Sequence, residues 1–193
     1  MNNVILIGYM GCGKSTVGRR LSYRIRKTFL DTDNEIEHRE KETIANLFAS
    51  KGEGFFRDLE TKCLQNLLRN KGSYVISVGG GLPIRAQNQE LLHKLGCVIY
   101  LRIQPDTVWE RLKNDTRRPL LKSENPREKI EAMIAERGPV YEAAADNIID
   151  VDGKTFQEII SEIQQILEEK GVLKEPKKKK IRRRGRRRRK KVE

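Results

Sequence analysis

Gly8-Tyr9-Met10-Gly11-Cys12-Gly13-Lys14-Ser15 sets glycines, a lysine and a hydroxyl at the spacing G-x-x-x-x-G-K-[ST]. Glycines at those places let the chain curl until successive N–H groups converge on phosphate oxygens. A helix starting at the lysine adds partial positive charge at the same point. Lys14 is then placed to bridge the β- and γ-phosphates of a nucleoside triphosphate, Ser15 to ligate Mg²⁺, and Thr16 to reach the α-phosphate. Gly11, Cys12 and Gly13 form the loop itself, with Cys12 at a variable position where a small residue suffices.

Such a loop requires a strand before it and a helix after it. Val4-Ile5-Leu6-Ile7 is a short β-branched run ending at a glycine, which reads as a strand buried on both faces. From Lys14 onward, Val17, Leu21 and Ile25 recur at helical spacing. Apolar runs return at Tyr74–Val78, Val98–Leu101 and Asn147–Val151, separated by amphipathic stretches of helix length, and Phe29-Leu30 ends a further strand. The alternation predicts a P-loop NTPase-type α/β fold: three α/β/α layers around a central five-stranded parallel sheet.

Between Phe29 and Leu68 the pattern is almost wholly helical, with Ile36, Ile44, Leu47, Phe48, Leu59, Leu64 and Leu67 as its apolar positions. That predicts a helical insertion beside the sheet, with substrate-binding helices over about 33–60. Residues 114–126 hold two prolines and little periodicity, which predicts a mobile lid over about 114–125. Helices are expected over Arg127–Ala145 and over Thr155–Lys170, the latter packing Phe156, Ile159, Ile160, Ile163 and Ile166 inward. One domain is expected over 1–173.

A phosphate loop alone does not name an acceptor. Further motifs narrow it: Asp31-Thr32-Asp33 at a strand end, Gly52-Glu53-Gly54-Phe55-Phe56-Arg57-Asp58-Leu59-Glu60, Gly79-Gly80-Gly81 after a buried strand, Arg117-Arg118-Pro119-Leu120-Leu121, and Glu136-Arg137-Gly138-Pro139-Val140-Tyr141. In this order they resemble the shikimate kinase family over residues 3–170. The resemblance implies ATP and shikimate as substrates, Mg²⁺ as cofactor and phosphorylation of the 3-hydroxyl in the chorismate pathway. It assigns Asp31 and Ser77 to the Mg²⁺ shell, Asp33 to the acceptor hydroxyls, and Arg57 and Arg137 to the substrate carboxylate. Gly79, Gly80 and Gly81 would offer backbone groups beside the substrate, Arg118 would reach the ATP phosphates from the lid, and Lys154 would flank the adenine.

Physical reasoning supports the same roles. Two arginines from distant segments can grip one carboxylate in forked geometry and so orient a rigid ring. Glu60, one helical turn from Arg57, either holds that guanidinium or forms an ordinary surface pair with it. Phosphoryl transfer depends chiefly on alignment and charge neutralisation, here by Mg²⁺, Lys14 and Arg118. Asp33 can act as general base or simply position the hydroxyl, and a closing lid keeps water from competing as acceptor.

Charge is unevenly distributed. The chain has 40 basic and 27 acidic residues, a net +13. Residues 174–193 alone hold 14 basic and two acidic ones, which leaves 26 against 25 in the rest. A self-repelling tail of this kind is expected to be disordered and to bind RNA, DNA or anionic lipid non-specifically, and it departs from the family pattern. Cys12, Cys63 and Cys97 lack disulfide or zinc spacing, and no apolar run is long enough to span a bilayer, so a cytoplasmic enzyme is expected. His38 and His93 have no partner at metal-ligand spacing, and Trp109 is expected to pack. A monomer is expected. The competing readings are a kinase for another polyol acid such as gluconate, a nucleotide kinase, or a nucleic-acid-associated protein working through its tail.

Overall fold

The computed structural model describes residues 3–114 and 125–173. The strands are β1 (Asn3–Ile7), β2 (Thr28–Asp31), β3 (Tyr74–Ser77), β4 (Gly96–Arg102) and β5 (Asn147–Asp150). They form one sheet in the order β2-β3-β1-β4-β5, parallel throughout. β1 is central, pairing Val4 with Val75 on one side and with Cys97 on the other, and all five of its residues are buried. That burial is what an unbroken β-branched run needs from a strand covered on both faces.

The helices are α1 (Lys14–Ile25), α2 (Thr32–Glu40), α3 (Ile44–Arg69), α4 (Ala86–Leu95), α5 (Pro105–Leu112), α6 (Pro126–Ala144) and α7 (Phe156–Glu169). Local chemistry sets several of their starts. Asp31 accepts from the Asp33 N–H to cap α2, Thr43 caps α3, and Thr155 and Glu158 close a reciprocal capping box at α7. Pro105 and Pro126 open α5 and α6, where a missing N–H costs nothing.

The helical insertion expected beside the sheet is α2 with α3, and α3 is bent at Gly52 (φ 80°, ψ 170°), a conformation that favours glycine. Phe48 lies next to this bend, half-exposed and tilted against Phe56 at 4.8 Å rather than in the core. The core joins the sheet to its helices, and Trp109 packs at its margin. The expected lid centre (115–124), with Arg117 and Arg118, and the tail (174–193) lie outside the described residues.

Cys12, Cys63 and Cys97 are free and buried. Among the described residues, no cluster of His, Cys, Asp or Glu could hold a metal ion, and no helix is long and apolar enough to cross a membrane.

Candidate active site

The carboxyl ends of β1, β2 and β3 open into one cleft of about 1090 Å³. β1 delivers the phosphate loop, β2 delivers Asp31, and β3 delivers Ser77 followed by the three glycines. Parallel strands place these ends side by side, which is why such sheets bind ligands along this edge.

Gly13 caps α1 with a left-handed backbone (φ 97°), so the helix axis aims into the cleft. Lys14 starts that helix, and its Nζ donates to the carbonyls of Gly8 (2.7 Å) and Tyr9 (3.0 Å). The Ser15 hydroxyl donates to Asp31 Oδ2 at 2.9 Å and lies 3.4 Å from Ser77 Oγ. A carboxylate and two hydroxyls so grouped form an all-oxygen donor set, the kind that suits Mg²⁺ held with phosphate oxygens.

Beside this set is a buried acid–arginine cluster. Burial raises the Asp33 carboxyl to about 6, with the Asp31 charge adding to the rise and Lys14 and Arg57 opposing it. Its Oδ1 is buried and has no hydrogen-bond partner. Arg57 Nη1 donates to Glu60 Oε2 and Nη2 to Glu53 Oε1, both at 2.8 Å. Glu60 is wholly buried, so this is no surface pair. Burial lifts its carboxyl to about 7, outweighing the pull of Arg57, and its Oε1 is unpartnered.

The glycine segment makes this crowding possible. A Cβ on Gly79 would stand 2.6 Å from Asp33 Oδ1 and 3.0 Å from Glu60 Oε1, and one on Gly81 would collide with the Arg57 guanidinium. The Gly79 N–H donates to Thr32 Oγ1 (3.0 Å), and the Tyr141 hydroxyl donates to the Gly80 carbonyl (2.6 Å). Arg137, on α6 with Tyr141, lines the same cleft and keeps a buried Nε without a partner.

Every described residue assigned to the site from the sequence is at this cleft except Cys12, whose side chain is wholly buried 3.7 Å from Lys14 Nζ. Lys154 lines the far end and is paired with Glu162 at 2.5 Å. Arg111, Arg20 and Phe156 also line it and were not anticipated. Arg111 Nη1 donates to the Gly11 carbonyl at 2.9 Å, and Arg20 lies over the Phe156 ring at 4.9 Å. Arg20 was legible in principle, since it follows Thr16 by four residues on one face of α1. Arg111 reaches the loop only through tertiary packing of α5.

A parallel α/β sheet with a glycine loop after β1, and an acid- and arginine-lined pocket next to that loop, defines a P-loop kinase for small molecules. The profile of the family described as Shikimate kinase matches residues 10–168. The chain belongs to the shikimate kinase family. It is 44% identical over 164 residues to a shikimate kinase of Sulfurihydrogenibium sp., covering 84% of this chain and 96% of that one. With the shikimate kinase of Burkholderia lata it shares 37% over 174 residues, covering 90% and 94%. The shikimate kinase of Acinetobacter baumannii, solved in complex with shikimate, superposes with a TM-score of 0.80 at 36% identity, covering 87% of this chain and 93% of the other. The Aquifex aeolicus enzyme gives 0.74 at 34%, covering 88% and 98%. Deoxyadenosine kinase from M.mycoides, at 17% identity and a TM-score of 0.56, shares the fold alone.

Proposed function

We propose that this chain transfers the γ-phosphoryl group of ATP to the 3-hydroxyl of shikimate, giving 3-phosphoshikimate and ADP, as a cytosolic monomer in aromatic amino acid synthesis. The observation that carries this reading is the pairing of Arg57 and Arg137, from α3 and α6, in the same cleft as Lys14 and Asp33. A small acid held by its carboxylate between the arginines would present its ring hydroxyls to Asp33 and the phosphate loop.

The roles follow from the chemistry of each group. Lys14 and the N–H groups of Gly11, Cys12, Gly13, Ser15 and Thr16 hold the nucleotide phosphates, and Lys154 flanks its base. Ser15 and Asp31, with Ser77, would hold Mg²⁺, which when bound neutralises phosphate charge. Asp33 positions the acceptor hydroxyl through its unpartnered Oδ1. With burial lifting its affinity for a proton, it can also take the hydroxyl proton as transfer proceeds. Arg57 and Arg137 fix the substrate carboxylate, and the bare backbone of Gly79, Gly80 and Gly81 lets the ring lie close. Arg118, outside the described residues, is assigned to charge on the transferring phosphoryl group.

The test is ADP release from MgATP with shikimate, gluconate, a nucleoside monophosphate or no acceptor. Release stimulated by shikimate alone, and abolished in Arg57→Ala, establishes both acceptor and clamp. Equal stimulation by gluconate, or none by any acceptor, removes the shikimate assignment.

A further inference from the structure

The end of the domain opposite the cleft has its own chemistry. α1 and α7 both begin at the cleft, where a Cβ on Gly13 would stand 3.2 Å from the Phe156 ring, and they pack together as they leave it. With 12 and 14 residues they extend about 18 and 21 Å to the far end. The turn between α3 and β3 arrives at the same place, because the Thr28 N–H just after α1 donates to the Ser73 carbonyl at 3.2 Å.

Arg24, Arg26, Arg69, Lys71 and Lys170 stand exposed on these segments. No ion pair among the described residues holds any of them, whereas Arg39, Arg57, Arg85, Arg102 and Arg127 each lie against a carboxylate. Exposed acids nearby are Glu168 and Glu169, ending α7. Tyr23, 79% exposed on α1, lies beside Arg24. From Leu173, at this end, the sequence runs on into the segment with 14 basic and two acidic residues.

We propose that this end of the molecule, the exposed cations of the fold together with residues 174–193, binds the phosphodiester backbone of nucleic acid without reading its sequence. Half of the basic residues in 174–193 are arginines, whose planar forks match phosphate oxygens in pairs. The segment has no aromatic residue to stack on bases, which leaves the backbone as its target. Its apolar residues are Ile181 and Val192, too few to anchor it in a bilayer, so a strand of phosphates suits it better than a lipid surface. Binding at this end leaves the cleft open.

The experiment uses the full chain with labelled RNA and DNA duplexes of two unrelated sequences each, and with phosphatidylserine vesicles, over a series of potassium chloride concentrations. Expected are equal affinities for the two sequences and a linear fall of log K with log salt. The Arg24→Gln/Lys71→Gln double variant should lower the steepness by about 1.8, at about 0.9 for each phosphate no longer neutralised, and weaken binding at low salt several-fold. Its melting temperature and MgATP affinity should match the parent's, which separates this result from any failure of the kinase assignment. The RNA and DNA arms tell which backbone is preferred, and either preference agrees with the proposal. Tighter binding to vesicles than to either duplex would overturn it, as would absence of nucleic-acid binding at low salt or a double variant with unchanged salt dependence.

Discussion

Arg57 reaches back one helical turn to a carboxylate that solvent does not touch: its Nη1 lies 2.8 Å from Oε2 of the fully buried Glu60. The pair holds the guanidinium at the cleft wall, with its other edge taken by the exposed Glu53. Glu60→Ala should therefore raise the KM for the acid substrate. A charge-assisted hydrogen bond of about 1.5–3 kcal/mol corresponds to about 10–100-fold. Glu60→Gln, which still accepts from Arg57, should recover most of that loss. Steady-state kinetics with varied shikimate decide the point, and an unchanged KM in Glu60→Ala would remove the anchoring role.

Glu60 also gives the fold a pH dependence. Its carboxyl titrates near 4.5 when unperturbed and near 7 in the native state. Between those values the folded chain keeps a proton that the unfolded chain releases. Stability is therefore greatest below about 4.5 on this account and is lost as pH rises through about 7, by up to about 1.4 kcal/mol per unit. Urea midpoints taken across this window should fall with pH in the parent and less steeply in Glu60→Gln. Parallel slopes would mean that Glu60 is not the group responsible.

Gly81→Ala places a methyl group where the Arg57 guanidinium lies. Acceptor-stimulated turnover should drop by about 100-fold or more, while MgATP affinity, set by the loop after β1, stays within about twofold. Calorimetry of nucleotide binding beside the turnover assay separates the two, and an equal loss of both would indicate a general collapse of the cleft.

Asp31→Asn keeps an oxygen to accept from the Asp33 N–H, so the α2 cap and the melting temperature should change little. It removes the negative charge from the Ser15–Asp31–Ser77 set. The Mg²⁺ concentration for half-maximal rate should rise about tenfold or more. A magnesium titration at fixed ATP measures this, and an unmoved midpoint would take Asp31 out of the metal shell.

Much of this architecture was legible because it repeats simple periods. The Val4–Ile7 run could only be a strand covered on both faces, and the spacing of Val17 and Leu21 could only be a helix packed against it. The site residues of the phosphate loop followed from a motif whose flanking elements are equally plain. The bend at Gly52 was not visible, because two helix-like segments meeting at a glycine read as one until the left-handed backbone is seen. Arg111 escaped for a different reason. Its approach to Gly11 is fixed by how α5 packs, and no local spacing encodes an approach between residues so far apart in the chain. The choice between a surface pair and a buried anchor for Glu60 likewise depended on what covers α3, a property of the assembled fold.

The glycine at 81 and the arginine at 57 occupy what is in effect one side-chain volume, shared between two places in the chain. They are therefore bound to vary together: a chain that gave up the arginine could acquire a side chain at 81 freely, whereas one that acquired it first would already have lost its hold on an acid. When an uncharacterised relative is met, the residue at this single position reports whether the pocket still has room for its own arginine. The missing methyl group is thus a readable mark of acid recognition, written at a site that never touches the acid's charge itself.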